Sequence, residues 1–206
     1  MEELITVIDR NRNPLGVKTR SQIHIDGDWH ETFQCWFIEK INEEMYIHLQ
    51  LRSNTKKDFP SLYDITAAGH LLSDETPKDG VREIKEELGV EISYEELHFI
   101  NEIADEITLT DFIDKEIALV YLYEIKKDLT YKFMDQEVEG IIRVKLDDFT
   151  KLVNQEKSIT VFEQYSVKGF TLINGNIKLN DLVPHKKNYF RAVIQGIKQY
   201  SEMTSI

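Results

Sequence analysis

The 206-residue chain has one cysteine, Cys35, so it can form no internal disulfide and no multi-cysteine zinc site. That scarcity fits a reducing compartment, and the expected location is the cytoplasm. Basic residues are also short: 25 Lys and Arg stand against 37 Asp and Glu, a formal net charge of −12. Duplex nucleic acid needs clustered cations and is excluded as a partner on this balance. The same field repels free phosphorylated metabolites unless metal ions or a local basic patch invert it. No apolar run reaches bilayer length, so no membrane partner is expected. The start "MEELITVIDRNRNPLG" lacks the basic and apolar regions of a signal peptide. There is also no repeat, low-complexity tract or clear interdomain linker.

The length supports one good-sized core with an elaboration. The expectation is a single domain over 1–206, with a core over about 1–155 and an elaboration over about 156–206. Residues 4–9 read as a strand and "NRNPLG" as a turn. Residues 31–40 and 44–53 read as strands joined by the hairpin connection "INEE". Residues 63–72 are a further strand, and Pro77 to Leu88 a helix stopped by Gly89. "LHFINEIADEITL" and "KEIALVYLYEI" are β-rich, and "VEGIIRVKLDDFTKLV" is a strand running into a helix near Asp147. Asn174-Gly175 signals a hairpin. Phe190, Val193, Ile194, Ile197 and Tyr200 have helical spacing.

The segment "GHLLSDETPKDGVREIKEELGV", Gly69 to Val90, crowds carboxylates onto one short helix. At about 100° per residue, Glu83, Glu86 and Glu87 share one arc, while Val81, Ile84 and Leu88 lie opposite. A solvated acidic face is the bland explanation. It is weakened because acidic residues in a last turn oppose the helix dipole, and because Glu87, not Lys, follows Glu83 at the fourth position. Arg82 can pair with Glu86. A hard divalent cation such as Mg²⁺ would relieve the repulsion.

These residues, G-x5-E-x6-RE-I-x-EE-x-G-V, resemble the Nudix box, G-x5-E-x7-RE-U-x-EE-x-G-U with U aliphatic. The resemblance implies an α/β fold, the Nudix α/β/α sandwich around a mixed β-sheet, here with a C-terminal hairpin-plus-helix elaboration. It implies Mg²⁺-dependent hydrolysis of a diphosphate linked to some group X, with Mn²⁺ an alternative ion. Glu83, Glu86 and Glu87 become the expected ligands, with the backbone near Gly69 completing the shell. One residue is missing between Glu75 and Arg82, which places the supporting roles of Glu75 and Asp79 in question.

Upstream, "DRNRNPLGVKTRSQIHIDGDWHETFQCWFI" and "LQLRSNTKKDFPSLYDITAAGHL" are similar to the Nudix branch that includes type I isopentenyl-diphosphate isomerase. By that resemblance Arg52, Lys56 and Lys57 lie along a diphosphate pocket, and a local basic cluster in an acidic chain suits anionic oxygens. A basic surface loop is the alternative. The isomerases carry a catalytic cysteine directly before Gly-His. Here Ala68 stands there, and alanine can neither give nor take a proton. Cys35, on a strand of alternating pattern, reads as core. His24, His30, His70, Asp114 and Glu116 match the branch's metal ligands, three histidines and two carboxylates, although His24 and His30 are one residue closer than in the isomerases. A lone histidine is as readily structural, so the ligand and packing readings stay open.

Water must lose a proton to attack phosphorus, and Glu87, Glu116 and Glu137 are the candidate acceptors, with Glu86 beside them in the catalytic set. Three functions compete: a diphosphate hydrolase, a binding module that senses a nucleotide or metabolite without turnover, and, disfavoured by Ala68, an isomerase. Group X is unread; Trp29, Trp36 and Tyr63 are candidates to stack it. A homodimer through the C-terminal elaboration is conceivable.

Overall fold

The run Trp29–Ile41 (β3) alternates strictly about the pleat, and both of its faces are buried. Phe33, Cys35 and Phe37 point to one side, packing with Ile84 and Leu88 of the helix Arg82–Leu88 (α2). Trp36 and Ile38 point to the other, packing with Phe149 and Leu152 of Leu146–Val153 (α3) and with Tyr189, Phe190 and Val193 of Lys187–Thr204 (α4). A central sheet therefore has helices on both faces, the expected α/β/α sandwich. Cys35 is fully buried, as its strand position requires.

A computed structural model of the chain describes residues 2–110, 112–126, 129–133, 137–154, 158–166 and 169–204; for 162, 169, 170 and 172–174 only the backbone is described. The other strands are β1 (Leu4–Ile8), β2 (Pro14–Thr19), β4 (Glu44–Arg52), β5 (Tyr63–Asp64), β6 (Ala67–His70), β7 (His98–Leu109), β8 (Phe112–Glu124), β9 (Val138–Lys145), β10 (Ile159–Ser166) and β11 (Gly169–Ile177). The helix Arg20–Asp26 (α1) joins β2 to β3. The sheet path runs β11-β10-β9-β4-β3-β1-β2; β6 and β8 also pair with β3, and β7 flanks β8. The sheet is mixed because β8 runs parallel to β3, with His30 opposite Glu116, while its other ladders are antiparallel.

The β3–β4 hairpin turns at Asn42 and Glu43, whose φ angles of 48° and 65° give the left-handed turn that matches strand twist. Three expectations need correction. Pro14–Thr19 continues out of the first turn as β2, because a proline is tolerated on an edge strand. The strand expected over 63–72 is two short ones, β5 and β6. Asn174-Gly175 lies inside β11, beside the register shift between Val161 and Glu163, and the β10–β11 pairing runs as far as Ser166 and Gly169; residues 167–168 lie outside the described residues. The hairpin and α4 of the C-terminal elaboration are present, and β10 extends the main sheet by pairing with β9. No described helix is long and apolar enough to cross a membrane.

Candidate active site

α2 is anchored by Ile84 and Leu88, both fully buried, and stopped by Gly89 at φ 65°. The missing residue is absorbed just before it. Asp79–Val81 form a 3₁₀ turn, and three residues in that geometry rise about as far as four in an α-helix, roughly 6 Å. Gly80 seats this tight turn on β3; a Cβ there would stand 2.6 Å from the Cβ of Phe33. Glu75 consequently keeps a bracing position. It receives Arg82 Nε at 2.5 Å and Nη2 at 2.9 Å, and the Leu72 N–H at 2.9 Å. Asp79 accepts from the Thr76 N–H and hydroxyl, capping the turn at the surface.

The three glutamates share a side of the helix but not an environment. Glu86 is 59% exposed and Glu83 only 12%. Glu87 is buried, with Oε2 accepting from Gln50 Nε2 at 3.1 Å and the Ala68 N–H at 3.2 Å. Glu83 lies directly over Gly69, where a Cβ would fall 2.1 Å from its Cδ. Arg82 Nη1 reaches Glu83 at 2.5 Å and Glu86 at 3.0 Å. Burial pushes Glu87 up to about 8, with the charge of Glu83 adding to it. Burial likewise lifts Glu83 to about 7, against the pull of Arg82. Two desolvated carboxyls, Glu87 raised further by Glu83 and Glu83 by Glu86, are what an added cation would stabilise.

A second cluster assembles from four elements. α1 supplies His24, β3 His30, the end of β6 His70, and β8 Asp114 and Glu116. The ring centroids lie 5.1–5.5 Å apart. Nε2 of His24 and of His30 each stand 3.5 Å from Asp114 Oδ1. The short His24–His30 spacing is accommodated by Gly27, which closes α1 in the left-handed region at φ 66° so that β3 starts two residues later. Ligand atoms of His24, His30 and His70, and of His30, Asp114 and Glu116, form two groups each within 4.8 Å. The Nε2 atoms of all three histidines and Asp114 Oδ1 are buried without a hydrogen-bond partner. Burial holds His30 and His70 below the usual imidazole range, hence neutral, the form that binds metal. Orphaned acceptors converging on one point fit a divalent cation.

The three glutamates and, from the second cluster, His24, His70, Asp114 and Glu116 line one cavity of about 380 Å³. Lys56 enters it and pairs with Glu137, which also lines it. Lys57 lines only an adjoining cavity of about 690 Å³. Arg52 lines the first but is already committed: it donates to Asp64 at 2.9 Å and to the carbonyls of Phe59 at 3.1 Å and Asp58 at 2.8 Å. Those bonds hold Phe59 at φ 52°, an unfavourable conformation for an aromatic residue, with its ring edge-on to Phe112 at 5.8 Å. Phe59 and Phe112 are the aromatic rings of the cavity wall. Trp36 is core, Trp29 lies under Arg10, and Tyr63 packs on the core, so none of these expected stackers lines either cavity.

Two contributors carry no motif. Arg20 lines both cavities, its nearest carboxylates, Glu3 and Asp58, each 3.8 Å away. His185, from the segment before α4, bridges Asp105 at 2.7 Å and Asp64 at 3.1 Å. Burial works against its charge, yet the two carboxylates hold it up to about 10. Nothing local marks a lone Arg after a threonine or a lone His after a proline; both are placed by tertiary packing.

Comparison with known proteins agrees with the fold and identifies the family. The family profile described as the NUDIX domain matches residues 19–164. An uncharacterized Nudix hydrolase of Clostridium acetobutylicum is 30% identical over 201 residues, 95% of this chain and 97% of that one. Isopentenyl-diphosphate Delta-isomerase 1 of Mesocricetus auratus is 27% identical over 176 residues, covering 77% of this chain and 76% of its own. The solved structure of a MutT/nudix family protein from Enterococcus faecalis superimposes with a TM-score of 0.52 at 16% identity, over 84% of this chain and 62% of that one.

Proposed function

The chain belongs to the Nudix family and is a diphosphate hydrolase by class; from that premise we propose that its reaction is Mg²⁺-dependent hydrolysis of a nucleoside diphosphate derivative or another small organic diphosphate, with Mn²⁺ an alternative ion. The observation that carries this reading is the desolvated pair Glu83 and Glu87, set in the wall of a cavity that Lys56 and Arg20 also line. Glu83, Glu86 and Glu87, with the Gly69 backbone beside them, would hold ions at one corner; His24, His30, His70, Asp114 and Glu116 would hold another at the second. Ions bound there lower the pKa of water and neutralise charge on the phosphate oxygens.

The protein's own part follows from its side chains. Lys56, now paired with Glu137, exchanges that carboxylate for a phosphate oxygen, and the Arg20 guanidinium, 3.8 Å from both Glu3 and Asp58, turns to another. Arg52 acts at one remove, keeping Phe59 in the cavity wall. Glu87, Glu116 and Glu137 line the cavity as acceptors for the water proton. Isomerisation is disfavoured because Ala68 has no acid, and the Cys35 thiol is buried among apolar side chains, with its pKa pushed up. The buried, unbridged thiol suits a reducing cytoplasm as the working compartment.

The test is a screen of nucleoside diphosphate derivatives, dinucleotides and prenyl diphosphates with Mg²⁺, read by phosphate release and product mass. The expected result is cleavage of at least one compound, abolished by chelation. Saturable binding without cleavage would make the protein a binding module, and conversion of isopentenyl diphosphate to its isomer would restore the isomerase reading; either result overturns the proposal.

A further inference from the structure

Glu116 is half-buried beside His30 in the cavity wall, and its Oε2 is doubly engaged: Gln34 Nε2 donates at 2.8 Å and Thr32 Oγ1 at 3.1 Å. What makes Gln34 present its amide nitrogen rather than its oxygen lies one layer further in. The Trp36 indole N–H can only donate, and it donates to the Tyr189 hydroxyl at 3.1 Å. The Tyr189 proton is therefore directed to its other neighbour, Gln34 Oε1, at 2.5 Å. With its oxygen occupied, the Gln34 amide turns its N–H groups toward Glu116. The chain runs one way, from a group that can only donate to a carboxyl oxygen that accepts two bonds. Thr32, Gln34 and Trp36 are alternate residues of β3 and so share a face of the sheet, the face that α4 covers. His185 stacks on the Tyr189 ring at 4.8 Å and 26°, fixed by Asp64 and Asp105.

We propose that Tyr189, at the start of the C-terminal helix, is a positioning residue for the reaction: through Gln34 it fixes the Glu116 carboxylate toward His30 and Asp114. The elaboration after residue 156 is then part of the working site. The proposal rests on the reading that Glu116 serves that site.

The test uses the full chain and two readouts, Mn²⁺ affinity by titration of the free-ion EPR signal and steady-state kinetics on whichever compound the screen finds cleaved. Tyr189→Phe keeps the ring and removes the hydroxyl. It is expected to weaken Mn²⁺ binding about tenfold, the lower end of what loss of an outer partner does, and to reduce kcat with KM within twofold. Gln34→Met should give a similar loss, and adding Tyr189→Phe to it should give no further loss, because the tyrosine acts through the amide. Trp36→Phe is the contrast. The tyrosine hydroxyl can still donate to Gln34 but is no longer directed there by the indole, so Mn²⁺ affinity should fall by less than in Tyr189→Phe. Tyr189→Phe with unchanged Mn²⁺ affinity and kcat, or losses that add fully in the double variant, overturns the proposal. Glu116→Gln separates the two layers: no effect from it removes the underlying reading and the proposal with it, whereas a loss there beside an unaffected Tyr189→Phe removes the proposal alone.

Discussion

The two corners of the cavity proposed to hold cations are built in opposite ways. The glutamate corner comes from one seven-residue helix, so its geometry is local and follows from the helical repeat. The histidine corner comes from α1, β3, β6 and β8 and exists only when β3 is paired on both sides, with His70 opposite Thr32 and Glu116 opposite His30. Each lies next to a segment one residue shorter than the family pattern it resembles, and each absorbs the loss in a tight turn, a 3₁₀ turn before α2 and a left-handed glycine after α1. A local set survives such a change if the turn tightens. A dispersed set survives only if strand register holds, because a slip of one residue sends every side chain to the other face.

The comparison is tested first where the effect is largest. Glu87→Gln should reduce turnover at least about a hundredfold, beyond the loss of a mere outer partner. The metal-free protein should melt no lower than the parent, because a carboxyl that must take up a proton to be buried has been replaced by a neutral amide. Hydrolysis assays and calorimetry read the two effects, and a collapse of the fold would show that the glutamate is structural. Next, His30→Ala should remove one Mn²⁺ site while leaving binding at the glutamates intact, with turnover down by about ten- to a hundredfold. If either substitution emptied both corners in a stoichiometry measurement, they would be one site and the contrast would dissolve.

The smallest effect concerns the wall that belongs to neither corner. His185 is held at about 10 in the folded protein against an ordinary 6.5. The folded state therefore binds more protons than the unfolded one across that interval. The resulting stability is complete below pH 6.5 and is lost as pH rises toward 10. Melting temperatures of metal-free protein should fall by a few degrees over that range, and His185→Gln should flatten this decline. An equally steep decline in the variant would mean that another group is responsible.

What the sequence made legible was whatever depends on near neighbours. The glutamate face, the β3–β4 hairpin, the strand leading into α3 and the apolar stripe of α4 all follow from periodicity and turn chemistry, and the structure has each of them. Asn174-Gly175 misleads because the cross-strand ladder with β10 overrides a local turn preference. Trp36 and Tyr63 looked available for stacking because composition cannot tell a buried ring from an exposed one. Arg52, read as a phosphate ligand by its place in a basic run, lines the cavity and also donates to Asp64 and two carbonyls, contacts that only the folded loop creates. Arg20 and His185 were illegible for the same reason in reverse: their partners lie far away in the chain.

The pleat of β3 gives the single thiol a use. Cys35 alternates with Gln34 and faces the α2 layer, sealed at zero exposure. An alkylating reagent can reach it only when the central strand comes away from its helices, so the rate of labelling times that opening. A bound diphosphate that slows labelling would be reporting how firmly the occupied cavity locks the middle of the protein, with no engineered probe required.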